Sequence, residues 1–156
     1  MTKLGIASDH GGFYAKEKLV ALLRTKEGVS VVDYGADSYD AQDDYPDCVA
    51  PLAEAVASGA VNKGIAICGS GVGAAIVCNK VAGVRAALIC ETYSARQGVE
   101  HDDMNVMCLG ARVLGEVYIE ELVMAFLKAQ FSGEERHTRR LDKVKALERK
   151  QATSNK

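Results

Sequence analysis

The sequence lacks the features that mark several large classes of protein. Its 156 residues contain no Cys-x-x-Cys and no His-x-x-x-His, the spacings typical of zinc sites. No apolar run reaches the roughly 20 residues that a helix needs to cross a membrane. Basic residues are not in excess, because 19 Lys and Arg face 21 Asp and Glu. We therefore expect no metal centre, no membrane contact and no nucleic-acid partner.

Cysteine is present, but without paired spacing. The five cysteines are an odd number, at positions Cys48, Cys68, Cys78, Cys90 and Cys108. This pattern predicts free thiols in a reducing compartment and not a disulfide framework. We expect Cys78 and Cys90 to be small buried hydrophobic side chains. The first residues become polar too soon for a signal peptide, so we expect a cytoplasmic protein.

Short apolar runs alternate with helical patterns along the chain. With 48% hydrophobic and 26% charged residues, the composition is that of an ordinary globular protein. We predict a single domain over residues 1–150 and a frayed tail over residues 151–156. Strands are predicted at residues 4–7, 29–34, 64–68, 84–90 and 106–109. Helices are predicted at residues 13–24, 49–57, 72–81, 93–100 and 116–130, and again after Ser132.

The order of these elements predicts a five-stranded, doubly wound α/β domain. Strands that are apolar throughout are typical of a parallel sheet covered by helices on both faces. Ligands of such sheets bind beyond the carboxyl ends of the strands. Asp9 and His10 follow the first strand and Cys68 ends the third, so all three should lie at that edge.

The glycine-rich segment after Cys68 allows three interpretations. Residues 69–73 join a strand to a helix, and the free N–H groups of a helix start attract anions. The segment also fits the dinucleotide fingerprint, with Glu91 near the expected place of the ribose-binding acid. That fingerprint normally follows the first strand, whereas this segment follows the third. Close packing of strand on helix is the third interpretation, and we favour an anion cradle.

The candidate reactive side chains also have ordinary explanations. The partial positive charge of a helix start favours the thiolate form of Cys68, yet a free cysteine is often only a buried apolar group. Asp9 has the position of a helix N-cap. His101 lies beside two carboxylates, as an acid–base group or a surface loop would. The arginines of the last helix, Arg136 and Arg140, share one face, which by pattern alone indicates a solvated surface.

The last helix carries only a thin apolar stripe. Ser132 and Glu135 have capping-box spacing, which predicts the start of this helix. Leu141, Val144 and Leu147 form the stripe, too little to stabilise an isolated helix. We expect the helix to pack across the domain or onto a second subunit.

Six short motifs occur in one order along nearly the whole chain, from Lys3 to about Glu148. They are Asp9-His10-Gly11-Gly12, Asp44-Tyr45-Pro46, Cys68-Gly69-Ser70-Gly71-Val72-Gly73, Asn79-Lys80, His101-Asp102-Asp103-Met104-Asn105 and Gly133-Glu134-Glu135-Arg136-His137. With this set of motifs, the chain closely resembles the type B ribose-5-phosphate isomerase family, which includes allose-6-phosphate and galactose-6-phosphate isomerases.

The resemblance implies a Rossmann-like α/β/α fold and a homodimer or larger assembly with sites at the subunit interface. It implies aldose–ketose isomerisation of a sugar phosphate without metal or organic cofactor. In this chain Cys68 resembles the base, since the glutamate that serves some members is replaced by Ala74. His101 resembles the ring-opening group, and Asp9 its assistant.

The resemblance also implies a set of substrate contacts. Ser70 and the amides of Gly69, Gly71, Val72 and Gly73 resemble the enediolate cradle, and Tyr45 would line the sugar site. The phosphate ligands would be His10, Arg112, Arg136 and Arg140, some of them from the partner subunit. The family usually has asparagine where this chain has Asp102, which bears on substrate preference and rate.

We therefore expect interconversion of ribose 5-phosphate and ribulose 5-phosphate. Isomerisation of a six-carbon aldose 6-phosphate, of the allose or galactose type, is the alternative within the enzyme class. A noncatalytic nucleotide- or phosphate-binding module is the alternative outside it.

Overall fold

The computed structural model of the protein describes residues 1–154. The strands are β1 (Thr2–Ser8), β2 (Val29–Asp33), β3 (Lys63–Cys68), β4 (Ala86–Leu88) and β5 (Val106–Gly110). The helices are α1 (Phe13–Leu23), α2 (Tyr45–Ala57), α3 (Val72–Cys78), α4 (Thr92–Asp102), α5 (Glu116–Lys128) and α6 (Glu135–Ser154). Among the described residues, no helix combines the length and the hydropathy that spanning a membrane requires.

All strand pairs are parallel, in the order β2-β1-β3-β5-β4. The predicted five-stranded, doubly wound sheet is therefore confirmed. β2 lies on one side of β1, and β3, β5 and β4 lie on the other, so the switch point lies between β1 and β3. A crevice at the carboxyl ends of two such strands is the usual ligand position in this fold.

Alternate side chains of the central strands enter two separate cores. Leu4, Ile65 and Met107 point toward one face, where they pack with apolar side chains of α1, α4 and α5. Ala66 and Cys108 point toward the other face, where α2 and α3 cover them. The period of two along a strand thus produces the three layers of the Rossmann-like α/β/α fold.

Several element boundaries differ from the prediction, among them those of β4, α2 and α4. β4 covers only Ala86–Leu88 of the predicted 84–90, because it is an edge strand that pairs with β5 alone. α2 starts at Tyr45 and not at residue 49, because Pro46 suits the first helical turn. α4 continues through His101 to Asp102, so this histidine lies on a helix end. Cys90 is exposed, so the expectation that it is buried was wrong, whereas Cys78 is buried.

α6 crosses the amino edge of the sheet. The N–H of Ser132 donates to the carbonyl of Glu100 at 3.0 Å, and Glu148 accepts from the N–H of Gly83 at 2.7 Å. The predicted capping box is wrong, because the Ser132 hydroxyl accepts from the N–H of Glu134 and not of Glu135. We predicted a frayed tail at residues 151–156. α6 covers the first four of these residues, and the last two lie outside the described part of the chain.

Candidate active site

Two loops meet at the switch point of the sheet. Ser8 of β1 pairs with Ile67 of β3, so the next residues, Asp9 and Cys68, leave the sheet side by side. The loop after β1 lies directly on the loop after β3. A β-carbon added to Gly11 would lie only 2.8 Å from the backbone nitrogen of Gly69, so this approach requires glycine. Asp9 and Cys68, which were predicted to lie together, therefore share one crevice at the carboxyl edge.

The loop after β3 folds back over the sulfur of Cys68. Gly71 adopts a positive φ of 83°, and its N–H then points at Cys68 Sγ, 3.1 Å away. Ser70 accepts from the N–H of Val72 at 3.3 Å. Cys68 is buried and faces the α2–α3 layer of the core. The sulfur thus accepts a hydrogen bond from a backbone N–H at the edge of the crevice.

Arg112 reaches the same loop from the end of β5. Its backbone N–H donates to the carbonyl of Gly69 at 3.0 Å, and the N–H of Ala111 donates to that of Cys68 at 2.9 Å. The Arg112 guanidinium lies along Gly69. A permanent positive charge therefore stands beside the glycine-rich loop, as anion binding requires.

His10 is held by an acid from a different loop. Its N–H donates to Asp43 Oδ1 at 3.1 Å, and its ring Nδ1 lies 2.6 Å from the same oxygen. The hydrogen bond with Asp43 raises the pKa of His10 above its usual value. Asp9 is buried and accepts from the N–H of Gly12, the residue at the N-cap of α1, so Asp9 is a turn acceptor and not the N-cap itself.

Tyr45 and Gly73 close one side of the crevice. Tyr45 is the first residue of α2, and its ring lies against Gly73, where an added β-carbon would be 2.9 Å from the ring. The ring is partly exposed and faces the start of α3. Tyr45 therefore lies where a wall of a sugar pocket is expected.

The second half of the predicted site lies at the opposite edge. His101 is at the end of α4, five residues before the first residue of β5, Val106. Its Nδ1 lies 2.9 Å from the Gln97 side-chain nitrogen. Asp102 follows it as the last helical residue.

His137, to which the sequence analysis assigned no role, is stacked on His101. The two ring centroids are 4.0 Å apart and the planes differ by 24°. His137 is only 1% exposed, its Nδ1 lies 2.6 Å from the Ser132 hydroxyl, and its Nε2 is buried without a hydrogen-bond partner. Burial and the neighbouring His101 lower the pKa of His137. In the sequence, only the position of His137 beside Arg136, in the last of the six motifs, indicated a functional role.

Arg136 and Arg140 lie one turn apart at the start of α6. Arg136 pairs with Glu134 at 2.8 Å on the surface. Because such exposed pairs contribute little to stability, a doubly charged phosphate can replace Glu134 as the partner of Arg136. The pair with Glu134 is therefore no obstacle to binding of an anion by Arg136.

A single chain does not bring the two halves together. The length of β3, six residues, separates the Cys68 edge from the His101 edge. At the rise of a strand this is about 16 Å, far beyond hydrogen-bond reach. We refer to the predicted site residues at the two edges as two half-sites. The carboxyl half-site comprises Asp9, His10, Tyr45, residues 68–73 and Arg112, and the amino half-site comprises His101, Asp102, Arg136 and Arg140.

Potential metal ligands cluster once within residues 1–154. Asp9, His10 and Asp43 have donor atoms within 4.8 Å of one another. The His10–Asp43 hydrogen bond explains this short spacing, and we assign no ion to the cluster. Glu91, the candidate ribose-binding acid, instead caps α4, where it accepts from the N–H of Ser94 at 2.8 Å. This contact favours a structural role for Glu91.

A parallel α/β fold with a thiol, backbone amides and basic side chains at its switch point defines an enzyme that handles small anionic substrates. Comparison with known proteins specifies the class further. Residues 4–144 match the family model described as Ribose/Galactose Isomerase. The chain belongs to this family, and it is an aldose–ketose isomerase that acts on a sugar phosphate.

Individual relatives match over most of their length. Ribose-5-phosphate isomerase B of Escherichia coli is 42% identical over 96% of this chain and 99% of its own. D-erythrulose-4-phosphate isomerase of Pectobacterium atrosepticum is 38% identical over 85% of this chain and 87% of its own. Ribose-5-phosphate isomerase B of Mycoplasma genitalium, solved with bound ribulose 5-phosphate, superposes with a TM-score of 0.89 at 41% identity, covering 94% of this chain and 96% of the other.

Proposed function

We propose that the protein interconverts ribose 5-phosphate and ribulose 5-phosphate through an enediolate, with Cys68 as the base. The observation that carries this proposal is the sulfur of Cys68 under the Gly71 amide, beside the free amides of a helix start. The similarity to proteins named ribose-5-phosphate isomerase B, one of them bound to ribulose 5-phosphate, supports the five-carbon substrate.

The proposed proton transfer needs one base and a preorganised cradle. The Cys68 thiolate removes the proton from C2 of the open-chain aldose, which leaves an enediolate with its charge on O1. The hydroxyl proton then moves from O2 to O1, and the resulting thiol returns its proton to C1 as the C2 oxygen becomes the new carbonyl. The amides of residues 69–73 and the Ser70 hydroxyl stabilise the charge that develops on oxygen. No electron carrier is needed, because the oxidised and reduced carbons belong to one molecule.

Ring opening and substrate anchoring complete the proposed reaction. His101, assisted by Asp9, transfers the proton between the C1 hydroxyl and the ring oxygen of the cyclic sugar. His10, Arg112, Arg136 and Arg140 bind the phosphate, and Tyr45 packs against the sugar. Anchoring of the unreactive phosphate holds C1 and C2 at the sulfur.

The proposed site requires two copies of the chain. Cys68 and His101 lie at opposite edges of the sheet, which the length of β3 separates by about 16 Å, so one chain cannot apply both groups to one small sugar. A two-fold dimer that places the amino half-site of one copy over the carboxyl half-site of the other creates two equivalent complete sites. We infer such a homo-oligomer, dimer or tetramer, and the five free thiols favour a reducing cytoplasm.

Asp102 is the feature of the site that favours other substrates. A carboxylate at this position lacks the N–H donors of the asparagine usual in the family and places charge near the enediolate. The similarity to D-erythrulose-4-phosphate isomerase supports a four-carbon substrate as a second candidate. A six-carbon aldose 6-phosphate and a noncatalytic binding module are less favoured, the latter because simple binding needs neither Cys68 nor His101.

A side-by-side assay tests the proposal. The purified protein is given ribose 5-phosphate, allose 6-phosphate, galactose 6-phosphate and D-erythrulose 4-phosphate without added cofactor. We expect the highest kcat/KM with ribose 5-phosphate, and a further gain in Asp102→Asn if the carboxylate opposes the enediolate. A higher kcat/KM with another sugar overturns the substrate, and tight binding of NAD without any isomerisation overturns the enzyme assignment.

A further inference from the structure

Asp43 has no role in the reaction as proposed, yet it makes the closest contacts of His10. The acid and the histidine are 33 residues apart in the chain and come from different loops. One carboxylate oxygen faces both the backbone N–H and the ring Nδ1 of His10, at 3.1 and 2.6 Å. The side chain of Asp43 is only 13% exposed, whereas that of His10 is 28% exposed.

The second carboxylate oxygen of Asp43 is also engaged. The thiol of Cys48 lies 3.6 Å from Oδ2 and donates to it. Burial, together with the charge of Asp43, raises the pKa of Cys48 to about 11, so the thiol keeps its proton. Both oxygens of Asp43 are therefore turned toward protein donors and away from an incoming phosphate.

We infer that Asp43 is a positioning residue that keeps His10 in its imidazolium form, with Nε2 directed at the substrate phosphate. This inference rests on the proposed role of His10 as a phosphate ligand. Because the bond to Asp43 uses Nδ1, Nε2 is the ring nitrogen that remains for an anion. An imidazolium donates from both nitrogens, whereas a neutral ring donates from one.

The charges around His10 agree with this role. Asp43 and the ring of Tyr39 face it from the loop before α2, Asp9 faces it from the end of β1, and Arg112 faces it from the end of β5. The bond to Asp43 is the largest influence and raises the pKa of His10, with a smaller contribution from Asp9, while burial and Arg112 lower it. Without Asp43, the neighbouring Arg112 would favour a neutral His10 ring.

The test combines a titration with a pH profile. In Asp43→Asn, the pKa of His10 followed by NMR in the substrate-free protein should fall, because the hydrogen bond to the carboxylate that raises it is lost. The ratio of variant to wild-type KM for ribose 5-phosphate should stay near one at pH values below both measured pKa values of His10, where the ring is protonated in both proteins. It should rise several-fold at pH values above the pKa measured in the variant, where the wild type keeps more imidazolium, while kcat changes little. Ionisation of the substrate cancels in this ratio.

Asp37→Asn is the matched control, because it removes the same charge from an exposed position in the same loop. It should leave both the His10 pKa and the KM ratio unchanged. An unchanged His10 pKa in Asp43→Asn overturns the inference, and so does a KM ratio that is independent of pH. If the His10 pKa shifts but wild-type protein isomerises no ribose 5-phosphate, the proposed substrate fails. The effect of inorganic phosphate on the His10 resonance then decides whether His10 binds phosphate.

Discussion

The two edges of the sheet carry half-sites of very different construction. At the carboxyl edge, backbone hydrogen bonds and close glycine contacts fix Cys68, the glycine-rich loop and Arg112 before any ligand arrives. At the amino edge, the groups project from helix ends, and Arg136 pairs with Glu134 at the surface. This difference fits the proposed mechanism, in which the first half performs proton transfer within one fixed frame and the second half is presented to another copy of the chain.

The largest expected effect is at the fixed half-site. Cys68→Ala should lower kcat about 10³-fold, because general-base catalysis contributes on that scale. Circular dichroism and the thermal unfolding midpoint should stay close to those of the wild type, since alanine fits the same core. A variant that isomerises ribose 5-phosphate at an undiminished rate would show that the sulfur is not the base.

A smaller and more selective effect is expected at the presented half-site. His101→Asn should lower the rate with cyclic ribose 5-phosphate about 10²-fold, because proton transfer to the ring oxygen is lost. The reverse reaction from ribulose 5-phosphate, which cannot form a furanose ring, should lose much less in its proton-transfer step. Single-turnover rates in both directions measure the difference. Equal losses would remove His101 from ring opening.

Mixing the two inactive variants tests whether the halves come from different chains. When Cys68→Ala and His101→Asn are unfolded together and refolded, half of the dimers contain one chain of each kind. Each such dimer has one intact site, so about a quarter of wild-type activity should return. The same variants refolded separately and then assayed together serve as the control. No recovery in the refolded mixture would place both groups in one chain's site.

The smallest expected effect concerns the arginines of α6. Arg140→Ala should raise KM about tenfold with kcat nearly unchanged, because a charge-assisted hydrogen bond contributes roughly 1.5–3 kcal/mol. Arg139→Ala is the neighbouring control, since Arg139 pairs with Glu135 on the exposed surface. A KM of Arg140→Ala equal to that of the control would exclude Arg140 from phosphate binding.

Much of the carboxyl edge could be predicted from the sequence alone. Apolar strands followed by Asp9-His10 and by Cys68 and its glycines predict a parallel sheet whose loops meet at one edge, and the structure places them there. Parallel pairing makes this a local argument, because each group directly follows its own strand. The start of α2 was predictable in principle from Pro46, but the acidic residues before it favoured a loop.

The contacts between distant segments could not be predicted. Asp43 meets His10 across 33 residues, and His137 meets His101 across β5, α5 and the loops beside them. The periodicity of the sequence predicts neither contact, since both depend on how whole elements pack. The separation of His101 and His137 from Cys68 also follows from topology and not from spacing, so the amino half-site was accessible only through the family resemblance.

The length of β3 has a consequence for how the reaction rate depends on protein concentration. On the proposed arrangement, a monomer binds no substrate productively, and every turnover depends on an earlier encounter between two polypeptides. Below the dissociation constant of that pair, the initial rate rises with the square of the total protein concentration, so the cell's expression level sets specific activity as well as amount.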